Sequence, residues 1–115
     1  MMNPPLKETI RVLRAASKKG DVAIWEALAD ELNTAKRKRA AVNLSKINRH
    51  SKAGDVVAVP GKVLGSGSLT HPVTVAAFSF SETARDKIAL VGGRALTLME
   101  LLAEGVAPPK IRIVK

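Results

Sequence analysis

The chain has 115 residues, 46% of them apolar, which is enough for one core and too much for a disordered tail. It contains no cysteine, which excludes disulfides, thiolate metal sites and cysteine nucleophiles and fits a reducing compartment. The formal net charge is +9 and is concentrated: residues 34–52 hold seven of the nineteen Lys and Arg and no acid, whereas the other twelve face ten acids. A local excess of one sign recruits a polyanion rather than merely keeping a protein soluble.

The opening Met1-Met2-Asn3-Pro4-Pro5 has neither the basic start nor the apolar run of a signal peptide, and no stretch approaches 18 consecutive apolar residues. A soluble, cytoplasmic protein with no membrane partner is expected. Pro4-Pro5 suits a helix start. Leu6, Ile10 and Leu13 follow at helical spacing, and Lys18-Lys19-Gly20 makes a stop. Lys7, Arg11, Arg14 and Lys18 form a basic stripe beside the apolar one. A second helix is predicted from near Asp21, with Ile24, Trp25, Leu28, Ala29 and Leu32 inward and Glu26, Asp30 and Glu31 outward. Trp25 lies on the apolar stripe, so it reads as a core anchor rather than a base-stacking platform.

Asn33-Thr34-Ala35 breaks that helix and introduces Lys36-Arg37-Lys38-Arg39. A third, short helix is predicted from Asn43 as N-cap to about Ser51, with Leu44 and Ile47 inward and Lys46, Arg49 and His50 on its outer face. Asp55-Val56-Val57-Ala58-Val59 reads as a strand stopped by Pro60-Gly61, Lys62-Val63-Leu64 as a short separate strand, and Gly65-Ser66-Gly67-Ser68 as a flexible loop. Residues 73–80 are the clearest strand, and their continuous apolar start implies burial on both faces. Ser81 caps a helix carrying Ala84, Ile88 and Val91 that ends at Gly92-Gly93. Thr97 and Glu100 form a capping box before Leu98, Leu101 and Leu102, with Gly105 as the stop. A last strand covers residues 111–114. The expected class is α/β, one domain over 1–115, helical and basic over about 1–53 and a small mixed strand and helix core over about 54–115. Sheet order does not follow from the pattern.

Chemistry of other kinds finds little support. His50 and His71 are 21 residues apart, unlike the close spacing of a two-histidine metal motif. The acids are scattered rather than gathered as nucleases need them. Gly61-Lys62 is followed by Val63 instead of Ser or Thr, and six residues separate it from Gly54, so it is no phosphate loop of the nucleotide-binding kind. No cofactor, small-molecule substrate or enzymatic activity is expected.

The basic window could be a solvated run, but nothing acidic neutralises it, it feeds into a helix that continues it, and the first helix has a basic stripe that could lie alongside. Together these predict a broad positive surface suited to phosphates, with Asn43, Asn48 and several serines adding hydrogen bonds to phosphate or sugar. Trp25, Phe78 and Phe80 are the only aromatics, which argues against single-strand readers and favours folded RNA recognised by shape and backbone. The residues expected to contact RNA are Lys36, Arg37, Lys38, Arg39, Asn43, Lys46, Arg49, His50, Lys52 and Lys62, together with Lys7, Arg11 and Arg14. The alternatives are a DNA-binding regulator using a helix-turn-helix, and a small enzyme acting on RNA.

Two segments carry a resemblance. Val42-Asn43-Leu44-Ser45-Lys46-Ile47-Asn48-Arg49, behind Lys36-Arg37-Lys38-Arg39, resembles the archaeal and eukaryotic large-subunit ribosomal protein family L eighteen e. So does Val59-Pro60-Gly61-Lys62-Val63-Leu64-Gly65-Ser66-Gly67, followed by Val73-Thr74-Val75-Ala76-Ala77 and Phe80-Ser81, with Ile24-Trp25 in the helical opening. The likeness covers about residues 3–115, and the length is similar to that of the archaeal members. It implies a structural ribosomal protein with a fold like that of bacterial ribosomal protein L fifteen, bound to large-subunit rRNA and beside other ribosomal proteins. It also implies a use for Lys62 and the 65–67 loop, as flexible backbone approaching RNA closely; a plain turn between strands is the other reading.

Overall fold

A computed structural model describes residues 5–20, 23–34 and 39–115. In chain order the elements are α1 (Leu6–Gly20), α2 (Ala23–Leu32), β1 (Ala40–Asn43), α3 (Leu44–Arg49), β2 (Val56–Leu64), β3 (Thr74–Phe80), α4 (Glu82–Leu90), β4 (Arg94–Thr97) and α5 (Leu98–Glu104). A single 3-10 turn, Pro108–Lys110, precedes β5 (Ile111–Ile113). The class is α/β, as the pattern predicts. The expected helix starts at Pro4 and Asp21 lie outside the described residues.

Every strand pairing is parallel, in the order β1-β2-β3-β4, with β5 also on β2. Parallel sheets need both faces covered, and the alternation along β3 shows how that is met. Val75 and Ala77 point into a core with Leu44 and Ile47 of α3 and Ala84 and Ile88 of α4. Ala76 and Phe78 point the other way, onto Leu13 of α1, Trp25 and Leu28 of α2, and Leu98 and Leu101 of α5. The result is a three-layer sandwich.

Two expectations about strands need correction. Pro60-Gly61 does not stop β2; the strand runs on to Leu64. On one edge β5 pairs with residues 56–58 and β1 with residues 61–64, so the proline falls between the two ladders, where its missing N–H is not needed. On the other edge the register to β3 slips between Val59 and Lys62, a bulge that absorbs the extra residue. Gly61 is forced by contact: a Cβ there would stand 2.0 Å from the Ala40 carbonyl oxygen. The N-terminal part is also not purely helical, because β1 lies between α2 and α3, and β4 is a strand that the sequence pattern does not announce.

The predicted helix signals are present as hydrogen bonds. Ser81 Oγ accepts from the Ala84 N–H at 3.1 Å, and the Thr97/Glu100 box is reciprocal, at 3.1 and 2.8 Å. The α5 end is tied back to the start of β4 by Arg94, which donates from both terminal nitrogens to Glu104. That hydrogen bond, and then the attraction of the same carboxylate, raise the Arg94 pKa.

Adjacent parallel strands require a crossover, usually a helix. α4 performs it between β3 and β4. Between β2 and β3 residues 65–73 do so without one, anchored by Leu69, which is only 6% exposed in the α3/α4 core. Asn48 Oδ1 accepts from the N–H and the hydroxyl of Thr70, both at 3.0 Å. The Ser66 carbonyl accepts from the Ser45 N–H at 3.3 Å, and Lys87 Nζ donates to the Gly65 and Gly67 carbonyls at 2.7 and 3.0 Å. The loop expected to be flexible is therefore fastened to α3 and α4, because irregular backbone replacing a helix must find partners for its polar groups.

Candidate nucleic-acid interface

α3 is short, and its burial decides what it offers. Leu44 and Ile47 are fully buried against the sheet. At about 100° per residue this leaves Arg49 on the far side, Ser45 and Asn48 on one flank, and Lys46 and His50 on the other. Asn43 caps the helix in extended backbone conformation without a side-chain bond, and its side chain is exposed. On the Ser45/Asn48 flank lies the 65–70 loop.

On the Lys46/His50 flank lies the end of β5, and the two enclose an open groove of about 260 Å³ lined by Lys46, His50, Arg112, Ile113, Val114 and Lys115. Lys46 Nζ bridges the groove to the Lys115 backbone carbonyl. Arg112 and Lys115 join a surface for which the sequence did not nominate them. Arg112 alternates with Ile111 and Ile113, which pack on the other face of the sheet, and only the pairing of β5 with β2 brings its face, shared with Val114, to α3; Lys115 lies beyond the strand end.

Charge balance separates the predicted residues. Among the described residues, Arg49 and Lys52, like Lys7 and Lys62, have no carboxylate partner for their side chains, whereas Lys46 is held by the Lys115 main-chain oxygen. Lys115 pairs with Glu31 at 2.5 Å, and Arg112 stands 3.9 Å from Asp55. On α1, Arg11 pairs with Glu8 at 2.9 Å and Arg14 with Asp30 at 3.5 Å. The α1 stripe of Lys7, Arg11, Arg14 and Lys18 does not lie alongside α3, because the apolar faces of α1 and α2 pack on the opposite side of the sheet. The same geometry removes the helix-turn-helix: α2 and α3 are separated by β1 and by the sheet itself.

Arg39 and Lys62 come together, though not with α3. They line a hollow of about 330 Å³ with Ala41 and Phe78 on the face that carries α1, α2 and α5. Arg39 Nε donates to the Leu32 carbonyl at 3.2 Å, satisfying an orphan acceptor at the α2 C-terminus. Asn48, expected to reach RNA, spends its carbonyl oxygen on Thr70. His71 bonds Ser51 at 2.9 Å. Lys36, Arg37 and Lys38 lie outside the described residues.

Residues 22–96, from α2 to β4, match the family model described as ribosomal proteins 50S-L15, 50S-L18e and 60S-L27A. The chain belongs to this ribosomal protein family. It is 52% identical to the large ribosomal subunit protein eL18 of Methanothermobacter thermautotrophicus, over 98% of this chain and 93% of that one. The eL18 protein of Methanococcus maripaludis is 49% identical over 97% of this chain and 93% of its own. That of Sulfolobus acidocaldarius is 52% identical over 83% and 80%. The resemblance read from the α3 and β2 segments thus extends to archaeal eL18 relatives over nearly the whole chain. Membership makes it a structural ribosomal protein and not an enzyme, with the ribosome as its place of work. The family match spans Arg49, Lys52 and the fastened 65–73 crossover together.

Proposed function

We propose that the chain is a constituent of the large ribosomal subunit that docks on folded rRNA through the surface centred on α3, beside other ribosomal proteins. Arg49 is the apex, Lys46 and His50 with Arg112 form one flank, and Lys52 extends the surface beyond the helix end. The observation that carries this reading is the absence of carboxylate partners for Arg49 and Lys52 among the described residues, in a chain that pairs Arg11, Arg14, Arg94, Arg112 and Lys115. Arg49 and Lys52 keep their full charge for phosphate, and each such contact releases condensed counterions. Lys36, Arg37, Lys38, Arg39, Asn43 and Lys62, and Lys7, Arg11 and Arg14, complete the proposed contact set, with the α1 and Lys62 positions serving the other side of the sheet.

Salt tests the reading. With roughly six to ten phosphate contacts, affinity for large-subunit rRNA should fall by roughly 10³ to 10⁵ between 50 and 200 mM salt. Reversing Arg49 to Glu should weaken binding further while leaving the circular dichroism spectrum unchanged. A flat salt profile would overturn the proposal.

A further inference from the structure

The crossover between β2 and β3 has a polarity that its role as a connector does not require. The carbonyls of Gly65, Ser66 and Gly67 all face inward, onto Lys87 Nζ, the Ser45 N–H and Lys87 Nζ again. The N–H groups of Ser66, Gly67 and Ser68 find no acceptor among the described residues, nor do the hydroxyls of Ser66 and Ser68 bond to any. All three residues are exposed. Acceptors turned in and donors turned out make a surface that takes oxygen anions.

The loop is also held rigidly. A Cβ on Gly65 would meet the Thr83 side chain at 2.7 Å, and one on Gly67 would meet the Ser45 Cβ at 2.5 Å. Gly67 further has φ +85°, which side chains disfavour. Backbone therefore sits directly on α3 and α4. On α4, Thr83 and Lys87 share the face toward the loop, whereas Glu82 and Asp86 stand on the solvent side. An anion approaches without meeting those carboxylates from the α3 side, where Arg49 is unpaired.

We propose that residues 66–68 are a pre-formed donor surface for the backbone oxygens of RNA, and that Lys87 is its positioning residue. Lys87 spends its ammonium on two loop carbonyls and does not itself touch phosphate. The inference rests on the RNA-binding reading of α3 and extends it to neutral donors. Such contacts fix register without releasing counterions, so they add affinity that salt does not report.

The test uses the full chain and deproteinised large-subunit rRNA, with affinity measured against salt. Lys87→Met should lose about tenfold in affinity, the size of one charge-assisted hydrogen bond, with the log–log salt slope unchanged. A slope lowered by roughly 0.7–0.9 would mean that Lys87 contacts phosphate directly, and would overturn the positioning role. Gly67→Ala, which removes no charge, should give a similar loss, and the double variant should lose no more than either single one. Additive losses would refute a shared loop. Because either variant could unfold, hydrogen exchange on the unaltered protein is decisive: the Ser66, Gly67 and Ser68 amides should exchange freely alone and be protected with rRNA. If they stay unprotected while Arg49→Gln weakens binding, the loop proposal falls and the α3 reading stands. If Arg49→Gln changes neither affinity nor slope, both fall together.

Discussion

Arg39 shows how one residue answers to two needs. In the sequence it ends a run of four cations and reads as an RNA contact. In the fold its Nε reaches the Leu32 carbonyl, where the α2 macrodipole leaves partial negative charge. Arg39→Met should therefore cost about 1 kcal/mol of stability, read as a lower urea midpoint at constant slope. Arg49→Met, which removes an exposed side chain without a partner among the described residues, should stay within about 0.5 kcal/mol of the parent. If the two variants melt alike, the α2 cap contributes nothing. Charge told where cations cluster but could not say which were already engaged, because engagement depends on the carbonyl or carboxylate that tertiary structure brings near. Trp25 was easier to read: an aromatic on an apolar helical stripe has one sensible destination, and it is 5% exposed between α2 and the sheet.

Elements were legible where their signals are local. The Thr97/Glu100 box needs only four consecutive residues, and both of its hydrogen bonds form. Thr97 is also 7% exposed, so Thr97→Ala should remove about 0.5–2 kcal/mol, measured by thermal or denaturant unfolding, while Thr97→Ser should restore most of it. Equal loss in the serine variant would assign the effect to the methyl group instead of the cap. β1 and β4 escaped for the opposite reason. Ala40-Ala41-Val42-Asn43 and Arg94-Ala95-Leu96-Thr97 are four residues each, weak in strand formers, and become strands only by pairing with β2 and β3. Pro60 misled because proline stops a strand only where its N–H is wanted. The gap between β5 and β1 along β2 is a property of the sheet and not of the segment.

At the scale of the molecule, the sheet decides which charges can act together. Parallel strands demand helices on both faces, so the basic positions are divided: the α3 surface on one side, the α1 stripe on the other. Sequence order brings Lys7–Lys18 and Lys46–Lys52 into one basic N-terminal half, and only topology separates them. The separation makes a matched comparison possible: on α1, Arg11 and Arg14 are held by carboxylates, whereas on the α3 side Arg49 and Lys52 have no carboxylate partner among the described residues. Neutralising Arg49 and Lys52 together to Gln should lower the log–log salt slope of rRNA binding by roughly 1.4–1.8, one phosphate per cation. Neutralising Arg11 and Arg14 should change it far less, because Glu8 and Asp30 already hold those guanidiniums in the free protein, and an exchange of partners releases fewer counterions. Equal changes in slope for the two pairs would mean that the RNA grips both faces of the sandwich. In that case α3 would be one of two docking surfaces, and the sheet would act as a spacer between two segments of rRNA.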